Sequence, residues 1–206
     1  MSIRARMREM LASRRRARVL ARHMSPLVPR DAVVLDVGCG DGLLTQSLLD
    51  LRPDLIISAF DVHVRARTHV PVRRFDGRTL PRGNESVDVV ILADVLHHAD
   101  DPIRLLFEAA RVARHAIVVK DHVQKGWLDR QALRLLDWAA GVPQEPDAVG
   151  HYWTAGEWTL ALQRVGIAIE SWNTSLGLYP WPASALFDRS LHFVARMGAG
   201  ASLRRA

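Results

Sequence analysis

Residues 33–49 read VVLDVGCGDGLLTQSLL. Apolar and β-branched residues lead to Asp36, glycines follow at 38, 40 and 42, and the chain then takes up helical periodicity, so the stretch predicts strand, tight glycine turn and helix. Glycines at alternate positions adopt unusual backbone angles and let main chain approach a ligand closely, as in the first crossover of a nucleotide-binding fold. The residue that selects the ligand is Asp36. A carboxylate at the strand end repels a pyrophosphate and attracts an ammonium or sulfonium group. The dinucleotide fingerprint also fails, because Gly38-x-Gly40-x-x ends in Leu43 where Gly or Ala is required.

Upstream, residues 3–24 hold neither Gly nor Pro and place Ile3, Met7, Met10, Leu11, Ala17, Leu20, Ala21 and Met24 at helical spacing. Arg4, Arg8, Arg15, Arg18 and Arg22 fall mostly on other faces. This predicts a basic amphipathic helix with two readings: a lid packed on the domain by its apolar stripe, or an arm for anionic lipid, nucleic acid or an acidic partner. Ser25, Pro26 and Pro29 end it, so residues 1–29 read as an arm and 30–206 as one domain.

Downstream, Leu43–Leu51 is a crossover helix and Leu55–Phe60 a second strand ending at Asp61, 21 residues after Gly40, where an acid can accept both hydroxyls of a ribose. Val70–Phe75 reads as a third strand followed by Asp76 and Gly77. With 14 residues between Asp61 and Asp76, the second crossover helix is expected to be abbreviated or absent. The apolar run after Ser86 is a central parallel strand leading to Ala93 and Asp94. Asp101 then caps a helix with Pro102 at its first position, running to about Arg114. Ala116–Val119 is the fifth strand, followed by Lys120, Asp121 and His122. Alternating strands and helices predict a doubly wound sheet with ligands at the strands' carboxyl ends. Asp36, Asp61, Asp76, Asp94 and His122 all fall there, which converges on one site.

Phe75-Asp76-Gly77-x-x-Leu80-Pro81, Ser86-Val87-Asp88-Val89-Val90 and Asp94-Val95-Leu96-His97-His98-Ala99-Asp100-Asp101-Pro102, together with the glycine turn and Asp61, resemble class I S-adenosylmethionine (SAM) dependent methyltransferases of the small-molecule, quinone-biosynthesis-like subgroup. The resemblance covers roughly residues 30–123. It implies a Rossmann-like α/β fold with a seven-stranded, mostly parallel sheet and an antiparallel last strand, here with an added N-terminal helix. It also implies that Asp61 binds the SAM ribose, with Val62 beside it, and that Asp76 meets the adenine amino group backed by Gly77. Asp36, Gly38 and Gly40 would hold the methionine end, while Ala93 and Asp94 line the cofactor near its sulfonium. Residues 30–123 form the cofactor half and 124–197 the substrate half. In the latter, Gln124–Ala140 and Thr154–Val165 read as helices, the second opened by a Thr154/Glu157 capping box. Ile167–Trp172 and Leu191–Ala195 read as strands, which the family would pair as an antiparallel hairpin, and 198–206 as a frayed end.

Methyl transfer asks the protein mainly to align nucleophile, methyl and sulfur and to exclude water. If the acceptor is a hydroxyl or ammonium, a base is useful, and His122 and His98 are the candidates, with Asp94 or Asp121 to orient them. His97 is expected to pack or cap. No metal is expected, since His97, His98, Asp101 and His122 lack zinc spacing. All six Trp and both Tyr lie after residue 126. Tyr152, Trp153, Tyr179 and Trp181, from loops, are therefore assigned to the wall of a small aromatic or lipid-like acceptor.

Composition sets the outer bounds. At 206 residues, 49% of them hydrophobic, the chain suits one folded α/β domain. The single cysteine, Cys39, excludes an internal disulfide and fits a reducing compartment. With no long apolar run, a cytoplasmic protein is expected, with residues 1–22 as a contact to an anionic membrane surface. The +6 charge is uneven, for the first 30 residues carry nine Arg and one acid while the remainder is slightly acidic. A nucleic-acid partner is therefore disfavoured. Lys120 and Lys125, the two lysines of a chain otherwise using Arg, read as a composition habit. The rival readings are a catalytically silent SAM-binding protein and a nucleic-acid or protein methyltransferase using the arm.

Overall fold

Each apolar run of the first half becomes a strand of one sheet. The computed structural model describes residues 14–126, 152–179 and 191–199, and the isolated positions 129, 131, 133, 135, 181 and 184. Helix α1 is Arg14–Met24, followed by β1 Val33–Val37, α2 Leu43–Leu51, β2 Ile56–Asp61, β3 Val72–Arg74 and β4 Val87–Ala93. Then come α3 Pro102–Val112, β5 Ala113–His122, α4 Ala155–Val165, β6 Ala168–Asn173 and β7 His192–Gly198. The strand order is β3-β2-β1-β4-β5-β7-β6. All pairings are parallel except those of β7, which runs antiparallel to both β5 and β6. This is the Rossmann-like sheet implied by the motifs. The chain between β2 and β3 carries no helix, as its length required.

Alternation along the strands divides the core in two. Leu35, Val37, Val90, Leu92, Ile117 and Val119 pack with α3 and α4 on one face. Val34, Val89, Ile91, Ala116 and Val118 pack with α2 and α1 on the other. The caps form as expected. Asp101 Oδ1 accepts from Arg104 N at 2.9 Å, and Thr154 and Glu157 make a reciprocal capping box before α4.

Three boundaries differ from expectation. Strand β5 is ten residues long, so Lys120, Asp121 and His122 belong to the strand itself; the antiparallel ladder with β7, from Ala116↔Gly198 to His122↔His192, extends it. That ladder reaches Gly198, and Ala199, buried, donates its N–H to the His115 carbonyl at 3.2 Å, so the chain expected to fray from residue 198 is held through 199; residues 200–206 lie outside the described residues. Strand β3 is cut to three residues because it is an edge paired on one side alone. The helix expected over 124–140 falls mostly outside the described residues, as does the loop 141–150.

Helix α1 is built into the domain. Leu20, Ala21 and Met24 are buried against Val34 and Leu48, and the basic residues reach across the sheet's end: Arg15 Nη1 donates to the Leu178 carbonyl at 2.7 Å, and a His23 ring nitrogen lies 3.0 Å from the Leu176 carbonyl. Arg52 ties the following segment down, donating to the Ser25, Val28 and Pro29 carbonyls. Packing thus runs continuously from α1 across residue 29 into the sheet. Residues 1–13 lie outside the described residues. No helix among the described residues is long and apolar enough to cross a membrane.

Candidate functional site

The glycine turn supplies a cradle. Gly38, Gly40 and Gly42 all have positive φ, between 62° and 76°. A Cβ at Gly38 would run into the Val95 side chain, and one at Gly42 would come within 2.5 Å of Val70. At Gly40 the nearest atom to such a Cβ is a flexible Arg65 nitrogen 3.8 Å away, so the main chain there faces open space. Asp61 Oδ2 accepts from Gly40 N at 2.7 Å and Oδ1 from His63 N at 2.8 Å, which fixes the turn against the end of β2.

Beneath the turn lies Asp36, 2% exposed. Thr45 donates to its Oδ2 at 2.5 Å, while Oδ1 has no hydrogen-bond partner among the described residues. Burial pushes the Asp36 pKa up to about 6, with Thr45 opposing and the Asp61 charge adding to the rise. A buried carboxylate with an orphaned oxygen is costly unless a cation completes it. The cradle and this carboxylate therefore fit a ligand with a positively charged end. Asp76 is exposed and holds its own loop, Oδ1 accepting from Arg78 N and Thr79 N, with Gly77 at φ 77° behind it. Val62 is exposed and Ala93 half-buried, on either side of the turn at the ends of β2 and β4. Burial, reinforced by the Asp36 and Asp61 charges, pushes the Cys39 thiol up, out of the nucleophilic range.

On the other side of the switch between β1 and β4, a second group of polar side chains gathers at the ends of β4, β5 and β7. Asp94 follows β4 with φ 58°, a left-handed backbone uncommon outside glycine, and its N–H donates to the Lys120 carbonyl at 2.8 Å. Lys120 Nζ donates to Asp94 Oδ1, and Arg16 Nη2 of α1 donates to Oδ2 at 2.8 Å. Burial would raise the Asp94 pKa, but the Lys120 and Arg16 charges outweigh it and hold the carboxyl well below its usual range. Asp121, also buried, sits with Oδ1 2.6 Å from His97 Nδ1 and 3.2 Å from His122 Nδ1. His122 Nε2 then points toward Asp94 Oδ1 at 3.7 Å. Burial and the Lys120 charge push the His122 pKa down to about 4, so its imidazole is neutral at ordinary pH.

Of the candidate bases, His122 joins this cluster, whereas His98 is exposed at the end of the short 3-10 turn Leu96–His98, its ring 4.0 Å from that of His97. Tyr152 stands 5.7 Å from the His97 ring and 5.9 Å from His122, and Tyr179 lies 5.5 Å from His192. The other two aromatics of the expected wall are elsewhere. Trp153 packs edge-on against Trp158 at 4.8 Å, drawn to the α4 side of the core, and Trp181 is 83% exposed. Asp94, His97 and His122 could bring one ligand atom each within 4.8 Å, a metal-like triangle. Both Asp94 oxygens are already taken by cations and His97 Nδ1 by Asp121, a donor set arranged for internal pairing.

Three members of the cluster were not among the sequence candidates: Arg16, Lys120 and His192. Lys120 carried a signal, since a lysine at a strand end in a chain that otherwise uses Arg is an unusual choice, and this one is wholly buried. Arg16 and His192 carried none, because α1 and β7 bring them in from opposite ends of the chain.

A family model described as a methyltransferase domain matches residues 5–171. A protein named a probable S-adenosylmethionine-dependent methyltransferase, from Mycobacterium tuberculosis strain H37Rv, is 34% identical over 106 residues, 48% of this chain and 38% of its own. A tRNA U34 carboxymethyltransferase of Campylobacter fetus is 29% identical over 90 residues, 38% of this chain and 32% of its own. The chain thus spans less than two fifths of the length of these curated relatives. Among solved structures, one from the complex of the Haloferax volcanii Trm112 methyltransferase activator with a methyltransferase superposes with a TM-score of 0.67 at 20% identity. That match covers 95% of this chain and 92% of the other. Motif order, strand order and family model agree, and this chain belongs to the methyltransferase domain family, in its class I S-adenosylmethionine-dependent branch.

Proposed function

We propose that the protein transfers a methyl group from SAM to an oxygen, nitrogen or carbon atom of a small, aromatic or lipid-like molecule. The observation that carries the reading is Asp36, a buried carboxylate with an orphaned oxygen under a glycine cradle that faces open space. Asp36 would hold the methionine ammonium, with the Gly38 and Gly40 main chain beside it; Asp61 and Val62 would meet the ribose, and Asp76 and Gly77 the adenine. When bound, SAM supplies a methyl group already activated on a sulfonium. The residues of the chain then position the acceptor. Asp121 holds His122 by Nδ1, so that the Nε2 lone pair is available to take a proton from an acceptor hydroxyl or ammonium. Tyr152 and Tyr179 flank that position. Ala93 and Asp94 join the two halves, since Asp94 stands at the end of β4 between cradle and cluster.

Calorimetry with SAM, followed by incubation of cell extract with methyl-labelled SAM and the protein, tests the reading. SAM binding with label in a small product is expected. Binding with no labelled product in any fraction would leave a silent SAM-binding protein, and no binding would refute the reading. A nucleic-acid acceptor is the second reading, favoured by the tRNA-modifying relative and by Arg14, Arg18 and Arg22, which are exposed on α1. A salt-sensitive gel shift with tRNA would support it. The same exposed arginines support an anionic membrane contact through residues 1–22, for which sedimentation with phosphatidylserine vesicles is the measurement.

A further inference from the structure

The cluster at the ends of β4, β5 and β7 holds two hydrogen-bond donors that the fold buries and leaves unused. Arg16 is a quarter exposed through its side chain, but its Nε is shut off from solvent and finds no acceptor among the described residues. His192 is 2% exposed, and its Nε2 likewise has no partner among the described residues. The tautomer follows from chemistry. Lys120 Nζ can only donate, so His192 Nδ1, 3.3 Å away, must accept, and the ring's hydrogen sits on Nε2. A guanidinium Nε always carries a hydrogen. Both orphans are therefore N–H donors, and both adjoin Tyr179: its ring lies 5.5 Å from the His192 ring, and it shares a side-chain hydrogen bond with Arg16.

A buried N–H without an acceptor costs on the order of 1–3 kcal/mol, so a pair of them in one place is unusual unless something binds there. The surrounding charge says what. Arg16 and Lys120 converge on the single carboxylate Asp94, and the remaining buried acid, Asp121, is occupied by His97 and His122. The site is thus rich in donors and cations, and it wants acceptor oxygens. It lies at the ends of β4, β5 and β7, whereas Asp36, Asp61 and Asp76 stand at or just beyond the ends of β1, β2 and β3, and Asp94 lies between the two groups. One acceptor atom is also spare, the buried Asp121 Oδ2.

We propose that this cluster is the acceptor's polar subsite and takes a carboxylate, so that the methyl acceptor is an organic acid with a hydroxyl or amine as well. The inference rests on the methyltransferase reading for the word acceptor. Arg16 Nε–H and His192 Nε2–H bind the carboxylate oxygens, Lys120 adds its charge, and His122 Nε2 accepts from the hydroxyl or amine while Asp121 holds the ring. In transfer to that hydroxyl or amine, the new C–O or C–N bond forms as the S–CH3 bond of SAM breaks. The electron pair of the broken bond stays on sulfur as the neutral thioether, and the displaced proton goes to His122. The carboxylate is the handle and is not itself methylated.

The test is calorimetric titration of the full chain with 4-hydroxybenzoate and with 4-hydroxybenzamide, an uncharged analogue of similar shape, each with and without S-adenosylhomocysteine (SAH). The acid is expected to bind about tenfold more tightly than the amide. Arg16→Lys keeps a cation for Asp94 and removes Nε, and His192→Asn keeps an acceptor for Lys120 while removing the Nε2 donor. In each, the preference should fall to about two- to threefold, with SAH affinity and melting temperature near wild type. Wild-type protein that binds acid and amide equally overturns the proposal. So does a variant that loses SAH affinity in step with Arg16 or His192, since the donors would then serve the methionine carboxylate. An acid preference that depends on Arg16 in a protein that ignores SAH would instead keep the anion subsite and refute the methyltransferase reading.

Discussion

Burial disfavours the charged form of Asp36 in the ligand-free protein, although the group is still mostly ionised at neutral pH. Its pKa of about 6 stands some two units above that of an unfolded aspartate, so the ionised form burdens the fold at neutral pH. Asp36→Asn should therefore raise the melting temperature of the free protein at pH 7.5, by an amount equivalent to about 1–2 kcal/mol after the unpaired amide hydrogen offsets part of the gain. The same change should weaken SAM by about 10- to 100-fold. In the wild type, SAM affinity should fall as pH drops through about 6, where the carboxylate takes its proton, and Asp36→Asn should bind independently of pH. His122 makes a contrasting prediction. Because its pKa lies near 4, the turnover of the wild type should show no acid limb near pH 6.5, and His122→Asn should reduce kcat by about 10²- to 10⁴-fold with SAM affinity unchanged. A mutant with wild-type turnover at neutral pH would leave His122 a structural residue.

At the scale of elements, α1 is a core helix whose Arg16 reaches across to Asp94. Leu20→Ala removes a side chain 3% exposed and packed among Ala21, Met24 and Val34, so it should cost about 2–4 kcal/mol in chemical denaturation. A change under about 0.5 kcal/mol would mean that α1 rests on the surface. The strands and caps were readable because their signals are local: a glycine turn, an apolar run, Asp101 before Pro102, Thr154 three residues from Glu157. The positions of Asp36, Asp61 and Asp94 were readable for the same reason, each being tied to the end of its own strand. The assembly of the cluster at the ends of β4, β5 and β7 was not. Arg16, Asp94, Lys120, Tyr179 and His192 come from five segments, and their meeting depends on how α1 crosses the sheet and on the antiparallel register that sets His192 opposite His122. Loop aromatics mislead likewise, since nothing in the sequence separates Tyr179, which turns inward, from Trp181, which does not.

For the whole molecule, the buried histidines make stability a function of pH. His122 and His192 both have pKa values held below the usual imidazole value by burial first and then by Lys120. The unfolded chain binds these two protons below about pH 6.5 and the folded chain does not, so the stability they give is complete above that pH and is lost as pH falls toward 4. Asp36 acts in the opposite sense between about 6 and 4, where the folded state holds the extra proton. Above about pH 5 the net loss should be about 1.4 kcal/mol per pH unit; nearer pH 4 the carboxylates held below their usual range, Asp94 and Asp121 among them, add to it. Asp36→Asn should roughly double the slope, and His192→Asn should nearly flatten it. Urea denaturation at half-unit intervals from pH 4.5 to 7.5 reads all three, and equal slopes would mean that the three groups do not titrate as placed.

The Arg16–Asp94 ion pair also ties the beginning of the fold to the middle of its chemistry. A fragment that starts at residue 30, just before the strand-and-turn pattern, would keep every glycine and acid proposed to hold SAM, yet it would expose Val34 and Leu48 and strip Asp94 of one of its two cations. During synthesis on the ribosome, α1 leaves the exit tunnel ahead of β1 and α2 and can pack on Val34 and Leu48 early, but its bonds to Asp94 and to the Leu178 carbonyl must wait for those residues to emerge. The cluster at the ends of β4, β5 and β7 is thus among the last parts of the domain to be completed, and a chain cut short before β7 would keep the glycine turn and Asp36 but lack His192.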